Sequence, residues 1–208
     1  MTEDPYLYNE RIKLINQTKV LVEKVKDAMD EIIKELDSDE ISIIKCKIAF
    51  DTNYENLKSE CESISERCFK DKPSHEIGKS IISLHQIHTD FFHMIMDLSG
   101  FTYSSEDNIS ALSRNVSKNM NCDSEHRMKI VPAVTNMLLY YRNNAAHHNS
   151  KPFVDPLTGI QVGHVCNVYM LSAITMFTAY SILELLMTWA GFMDIELSYD
   201  VYNAFKNE

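Results

Sequence analysis

The sequence predicts an all-α protein, an elongated multi-helix bundle, on three observations. Glycine and proline are scarce, at five each in 208 residues, which leaves few places for the turns of an all-β fold. Apolar residues recur at three- and four-residue steps along most of the chain, the period of helices with one buried face. Residues 165–183 carry no charge for nineteen positions, which suits a central helix buried on nearly all sides. The length gives one substantial core and is short for two. Residues 1–208 are therefore read as a single domain, with long N-terminal helices over 1–70 and a bundle over 74–208.

The first helix runs from about Pro5 to Leu36, with Ile15, Thr18, Val22, Val25, Met29, Ile32 and Leu36 at heptad spacing. About 30 residues of helix reach about 45 Å, so this one is expected to extend a dimer interface. Leu36-Asp37-Ser38-Asp39-Glu40 reads as a stop and a capping turn, with a second helix over about 39–69. Pro73 breaks the chain and Ser74 is the expected N-cap of the third helix. That helix places Ile77, Ile81, Leu84, His88, Phe91, Ile95 and Leu98 on one stripe and closes at Gly100. A fourth helix is expected over 105–119 and a fifth from near Ser124. The fifth carries Val131, Val134, Leu138, Tyr141 and Ala145 on one face, and Pro132 fits it only in the first turn or at a kink. Residues 149–164, with Pro152 and the turn Asp155-Pro-Leu-Thr-Gly159, read as a small β-hairpin or an ordered loop. A long helix over 164–190, ended by Gly191, and a short terminal helix within 194–206 complete the chain.

The uncharged run has the length of a membrane span. Asn167, Ser172, Thr175, Thr178 and Ser181 recur in it, Glu184 separates it from Leu185-Leu-Met, and no Lys or Arg flanks it. It is read as a buried helix, with no membrane partner. Five cysteines form no CxxC pair, and the N-terminus shows no apolar leader. Reduced thiols in a cytoplasmic protein are expected.

The net charge of −10 looks wrong for a nucleic-acid binder, but its distribution is uneven. Residues 1–70, 71–111 and 152–208 carry nets of −5, −4 and −5, whereas residues 112–151 carry +4. That basic island surrounds Arg142-Asn143-Asn144-Ala145-Ala146-His147-His148. A guanidinium recognises phosphate in a planar, bidentate way, and an imidazole exchanges protons near neutral pH. An adjacent amide orients an oxygen. These groups suffice for cleaving RNA through the ribose 2′-OH, with arginine stabilising charge on the phosphorane. No carboxylate cluster accompanies the motif, so no metal and no cofactor are expected. Arg142 and His147 lie about 140° apart on a continuous helix, and His148 is no better placed. The groups converge only if the helix ends or distorts after Arg142, or if they meet across a subunit boundary.

The segment Leu138-Leu-Tyr-Tyr-Arg142-Asn-Asn-Ala-Ala-His147-His148-Asn149 resembles the R-x4–6-H motif of the HEPN superfamily. The resemblance implies a HEPN-like helical bundle that dimerises so that two motifs share a cleft. It also implies a metal-independent endoribonuclease of the kind found in toxin–antitoxin and phage-defence systems, working with RNA, a second copy of the chain and an antitoxin or defence partner. Carried over, Arg142 and His147 are the catalytic pair and Asn143 the polar helper; His148 satisfies the spacing equally. Asn144, Tyr141 and Lys151 are the expected substrate-binding residues. The alternative is a HEPN-like module that binds RNA or nucleotide without catalysis. Some family toxins carry a tyrosine two positions after the motif histidine for modification by a nucleotidyltransferase. Asn149 and Ser150 stand there instead, so that regulation is not expected.

On the third helix His85, His88 and His93 invite a metal reading. Their positions do not converge on one point, because 88 and 93 lie about 140° apart. His88, on the apolar stripe, is expected to be a hydrogen-bonded core histidine.

Overall fold

The computed structural model describes residues 5–36, 40–69, 74–121, 128–147, 153–154, 161–162 and 168–203. Seven helices and one two-stranded hairpin make up the described residues: α1 Pro5–Glu35, α2 Glu40–Phe69, α3 Ser74–Ser99, α4 Ile109–Asn119, α5 Ile130–His147, β1 Phe153–Val154, β2 Gln161–Val162, α6 Val168–Phe192 and α7 Tyr199–Tyr202. The architecture is all-α. The hairpin after the motif is antiparallel, with Phe153 opposite Val162.

α6 is the hub, packing against α1, α2, α3 and α5. By length and composition it could cross a membrane, and within this chain most of it is buried. Leu171, Ile174, Ala179, Ile182, Leu183, Leu185, Leu186 and Trp189 are all sealed. Two of its hydroxyls are satisfied within the helix: Thr175 and Thr178 donate to the carbonyls of Leu171 and Ile174 at 2.7 Å each. The Trp189 ring meets Phe50 edge-on at 5.9 Å and donates its N–H to Ser99 Oγ at 2.7 Å.

The heptad stripe of α1 is used inside the chain. Ile15, Thr18, Val22, Val25, Met29 and Ile32 are buried, and α1 packs chiefly on α6. The stripe is therefore covered by α6 of the same chain.

Long-range polar contacts fix the element ends. The Glu184 carboxylate of α6 accepts hydrogen bonds from the backbone N–H groups of Lys129, Ile130 and Val131 at 3.1, 2.9 and 2.8 Å. These are orphan donors at the start of α5, and a carboxylate there also meets the positive end of the helix dipole. α5 therefore begins at Ile130 rather than near Ser124, after Met128 at φ 56°. Pro132 falls in its first turn, where no N–H is needed. α4 begins at Ile109, not 105, because Asn108 Oδ1 accepts from Ala111 N at 3.0 Å. α3 closes at Gly100 (φ 68°), with Phe101 N donating to Met96 O at 2.9 Å. α6 passes through Gly191 and stops just beyond it. Asp194 (φ 56°) takes the left-handed position, and Ile195 N reaches Ala190 O at 2.9 Å. The terminal helix is a single turn. Glu31 of α1 holds its start by accepting from Ser198 N and Oγ at 2.7 Å each.

Candidate functional site

α5 carries the motif and α3 is its neighbour. Val134, Leu138 and Tyr141 of α5 join Ile77, Ile81 and Leu84 of α3 in one buried cluster, completed by Leu171 and Ile174 of α6. The two helices meet at a pair of small residues. A Cβ on Gly78 would stand 3.4 Å from the Ala145 Cβ, at ordinary contact distance. The start of α3 thus lies against the end of α5.

Arg142 is half-buried on this seam, and its Nη1 donates to Asn143 Oδ1 at 3.1 Å. Among the described residues it forms no ion pair with a carboxylate. Arg142 and the adjacent Asn143 are thus in contact. Tyr141 is not available to stack a base, since it is 4% exposed. It occupies the core stripe of α5, and the half-buried Tyr140 meets it edge-on at 5.5 Å. For Asn144 and His147 only the backbone is described, and His148 and Lys151 lie outside the described residues.

α5 is unbroken through His147. This overturns one of the two ways the motif could converge, namely a helix end or distortion after Arg142. Five residues of regular helix put positions 142 and 147 about 140° apart. Position 147 is also about 160° from Ala145, which faces α3.

The structure brings a different histidine to Arg142. His85 of α3 is half-buried, and its Nε2 is sealed from solvent with no hydrogen-bond partner. Burial, and then the Arg142 guanidinium, pull its imidazole down to about 4. Sequence reasoning weighed His85 only as a metal ligand and missed this pairing. His88, one turn on, is fully buried; Nε2 shares a 2.8 Å hydrogen bond with Ser181 Oγ and the ring meets Phe92 edge-on. It is the core histidine expected. Burial, with a smaller contribution from His85, depresses it to about 3. His93 faces elsewhere, stacked on Tyr103 at 4.9 Å. No group of three His, Cys, Asp or Glu suited to a metal ion occurs among the described residues. The buried thiols of Cys46 and Cys61 are free, and burial raises them to about 11 and about 12, which makes them poor nucleophiles.

The two depressed histidines predict an acid-sensitive fold. In the unfolded chain an imidazole titrates near ~6.5. Between that value and the folded values of about 4 and about 3, the unfolded state binds more protons. Stability is therefore full above pH ~6.5 and falls progressively as pH drops toward 3. Thermal midpoints measured across this range should show the decline, and His88→Leu should make it shallower. An equally steep decline in that variant would assign the acid sensitivity to other groups.

Comparison of the chain with protein-family models, with curated proteins and with solved structures finds no match.

Proposed function

We propose that the chain is a metal-independent endoribonuclease of the HEPN type, acting as a homodimer in which motif residues of both copies face one phosphate. The observation that carries this reading is Arg142: a half-buried guanidinium, oriented by Asn143 and paired with no carboxylate among the described residues, at the end of the helix that continues to His147. A permanent cation with no carboxylate partner among the described residues, on a partly desolvated seam, is suited to an anionic ligand. The surrounding basic island, +4 over residues 112–151, suits the same ligand. Because α5 is unbroken, the reading draws Arg142 and His147 from different subunits. In the reaction, the imidazole takes the 2′-OH proton or protonates the departing 5′-oxygen. The 2′-oxygen bonds to phosphorus as the P–O5′ bond breaks, and Arg142 stabilises charge on the non-bridging oxygens. A toxin or phage-defence role, with an antitoxin or complex partner, is the biological setting this chemistry suits.

The test is an analysis of RNA product ends. Wild-type protein should cut RNA in EDTA and leave 2′,3′-cyclic phosphate and 5′-OH ends. Arg142→Ala should lower the rate by about 10²–10³, the effect of losing one donor to a developing oxyanion. EDTA-sensitive cleavage leaving 3′-OH ends would overturn the mechanism. The overall charge of −10 favours a second reading, a non-catalytic HEPN-like module that binds RNA. RNA binding without cleavage from pH 5 to 9 would select it.

A further inference from the structure

We infer that Arg142 and His85 form a phosphate-binding pair within a single chain, with His85 as the uncharged partner that donates a hydrogen bond to the phosphate held by the guanidinium. The inference rests on the reading of Arg142 as a phosphate-contacting group. It adds to that site a residue on a different helix, outside the Arg-x4-His motif.

The geometry comes from the seam. A Cβ on Gly78 would touch Ala145, and beyond that point Ile81 and Leu84 of α3 share one buried cluster with Tyr141, Leu138 and Val134 of α5, which requires the two helices to pass in opposite directions. His85 is seven residues beyond Gly78, about 10 Å along α3, and Arg142 is three residues before Ala145, about 4.5 Å along α5. The remaining offset of about 6 Å along the axes is within reach of an arginine side chain, which extends well beyond its own turn. Both residues are half-buried, so both border the sealed cluster and reach the surface.

The protonation chemistry comes from the surroundings of His85. Arg142 of α5 faces it and opposes a second positive charge. His88, on its own helix, is itself kept neutral by burial. From α2, Glu60 accepts from the neighbouring Ser83 Oγ at 2.9 Å. Of its two ring nitrogens, only Nε2 is buried without a partner. A neutral ring with one nitrogen closed off from any acceptor keeps its proton on the other, where a hydrogen bond can be made. His85 therefore presents Nδ1–H beside Arg142. A cation and a neutral donor set side by side suit a phosphate, whose oxygens accept from both. A second cation there would repel the first.

The test is ¹⁵N NMR of the full chain at pH 7, with labelled histidine. The His85 ring should show its proton on Nδ1, and inorganic phosphate should move the Nδ1 resonance saturably while His88 stays fixed. Acetate, a planar monoanion, should move it far less. Arg142→Ala should abolish the response. His85→Asn keeps a donor near the Nδ1 position, so phosphate should bind it within about threefold of wild type, whereas His85→Ala should bind at least about tenfold more weakly, the loss of one charge-assisted hydrogen bond. A His85 resonance indifferent to phosphate, or unchanged affinity in a folded His85→Ala, overturns the pair. The outcomes separate the two claims. Phosphate binding at His85 without RNA cleavage upholds the pair and rejects the nuclease. Arg142-dependent cleavage with a silent His85 does the reverse.

Discussion

Glu184→Ala is expected to lower the free energy of unfolding by about 3 kcal/mol, a large effect for a half-buried polar residue. Glu184 stands in an otherwise uncharged helix, and its carboxylate accepts from three successive backbone N–H groups at the start of α5. The Ile130 and Val131 bonds are partly shielded from water, so those donors lose their acceptor without full solvation in return. Removing the carboxylate also removes a favourable charge from the N-terminus of α5, a smaller contribution of about 0.3–1 kcal/mol. Glu184→Gln keeps one neutral acceptor and should lose roughly half as much. Denaturant unfolding at constant m-value is the measurement. A loss below about 1 kcal/mol in Glu184→Ala would mean that packing on α3 and α6, and not this cap, fixes where α5 begins. Ile130 stands about 18 Å along the helix from Arg142, so the variant should change the folded fraction without changing phosphate binding by the molecules that remain folded.

Helix stripes were legible in the sequence because burial follows the helical period. Ile15 to Ile32 on α1 and Val131 to Tyr141 on α5 are buried where the spacing placed them. Element ends set by distant partners were not legible. Nothing near residues 124–130 announces that Glu184 supplies the cap of α5, and nothing near Ser198 points to Glu31. A local rule also misplaced the end of α6: Gly191 is the expected stop, yet Asp194 adopts the left-handed conformation instead. The element that covers the α1 stripe was not legible for a related reason. A heptad pattern states that a face is buried but not whether the covering helix belongs to the same chain. At the site, Arg142 was singled out from its motif, whereas the sequence left open whether α5 continues past it. His85 was not, because its three-residue spacing to His88 is a local relation, whereas its relation to Arg142 depends on how α3 and α5 dock. One signal was present: Gly78 is a small residue on a stripe of isoleucines and leucine, and Ala145 is the smallest residue on the α5 face, so a close crossing could be read there.

Mixing subunits should decide how the motif is assembled. On the proposed nuclease reading, Arg142→Ala and His147→Ala each lose cleavage by at least about 10². If each site takes its arginine from one copy and its histidine from the other, a dimer of the two variants holds one site with both groups missing and one intact. Random exchange makes half the dimers mixed, so the mixture should recover about one quarter of wild-type activity. A site built within one chain gives no recovery, because every chain then lacks one of its own groups. The unbroken α5 predicts the first result, since positions 142 and 147 face away from each other by about 140°. The Arg142–His85 pair predicts the opposite behaviour. Both residues belong to one chain, so no mixed dimer of Arg142→Ala and His85→Ala contains an intact pair, and tight phosphate binding should not return. Recovery in the first mixture with none in the second would mean that α3 and α5 of each subunit hold the phosphate while the partner's α5 supplies the proton-transfer group. No recovery in the first mixture would remove the composite site, and with it the mechanism that depends on two copies of α5 meeting.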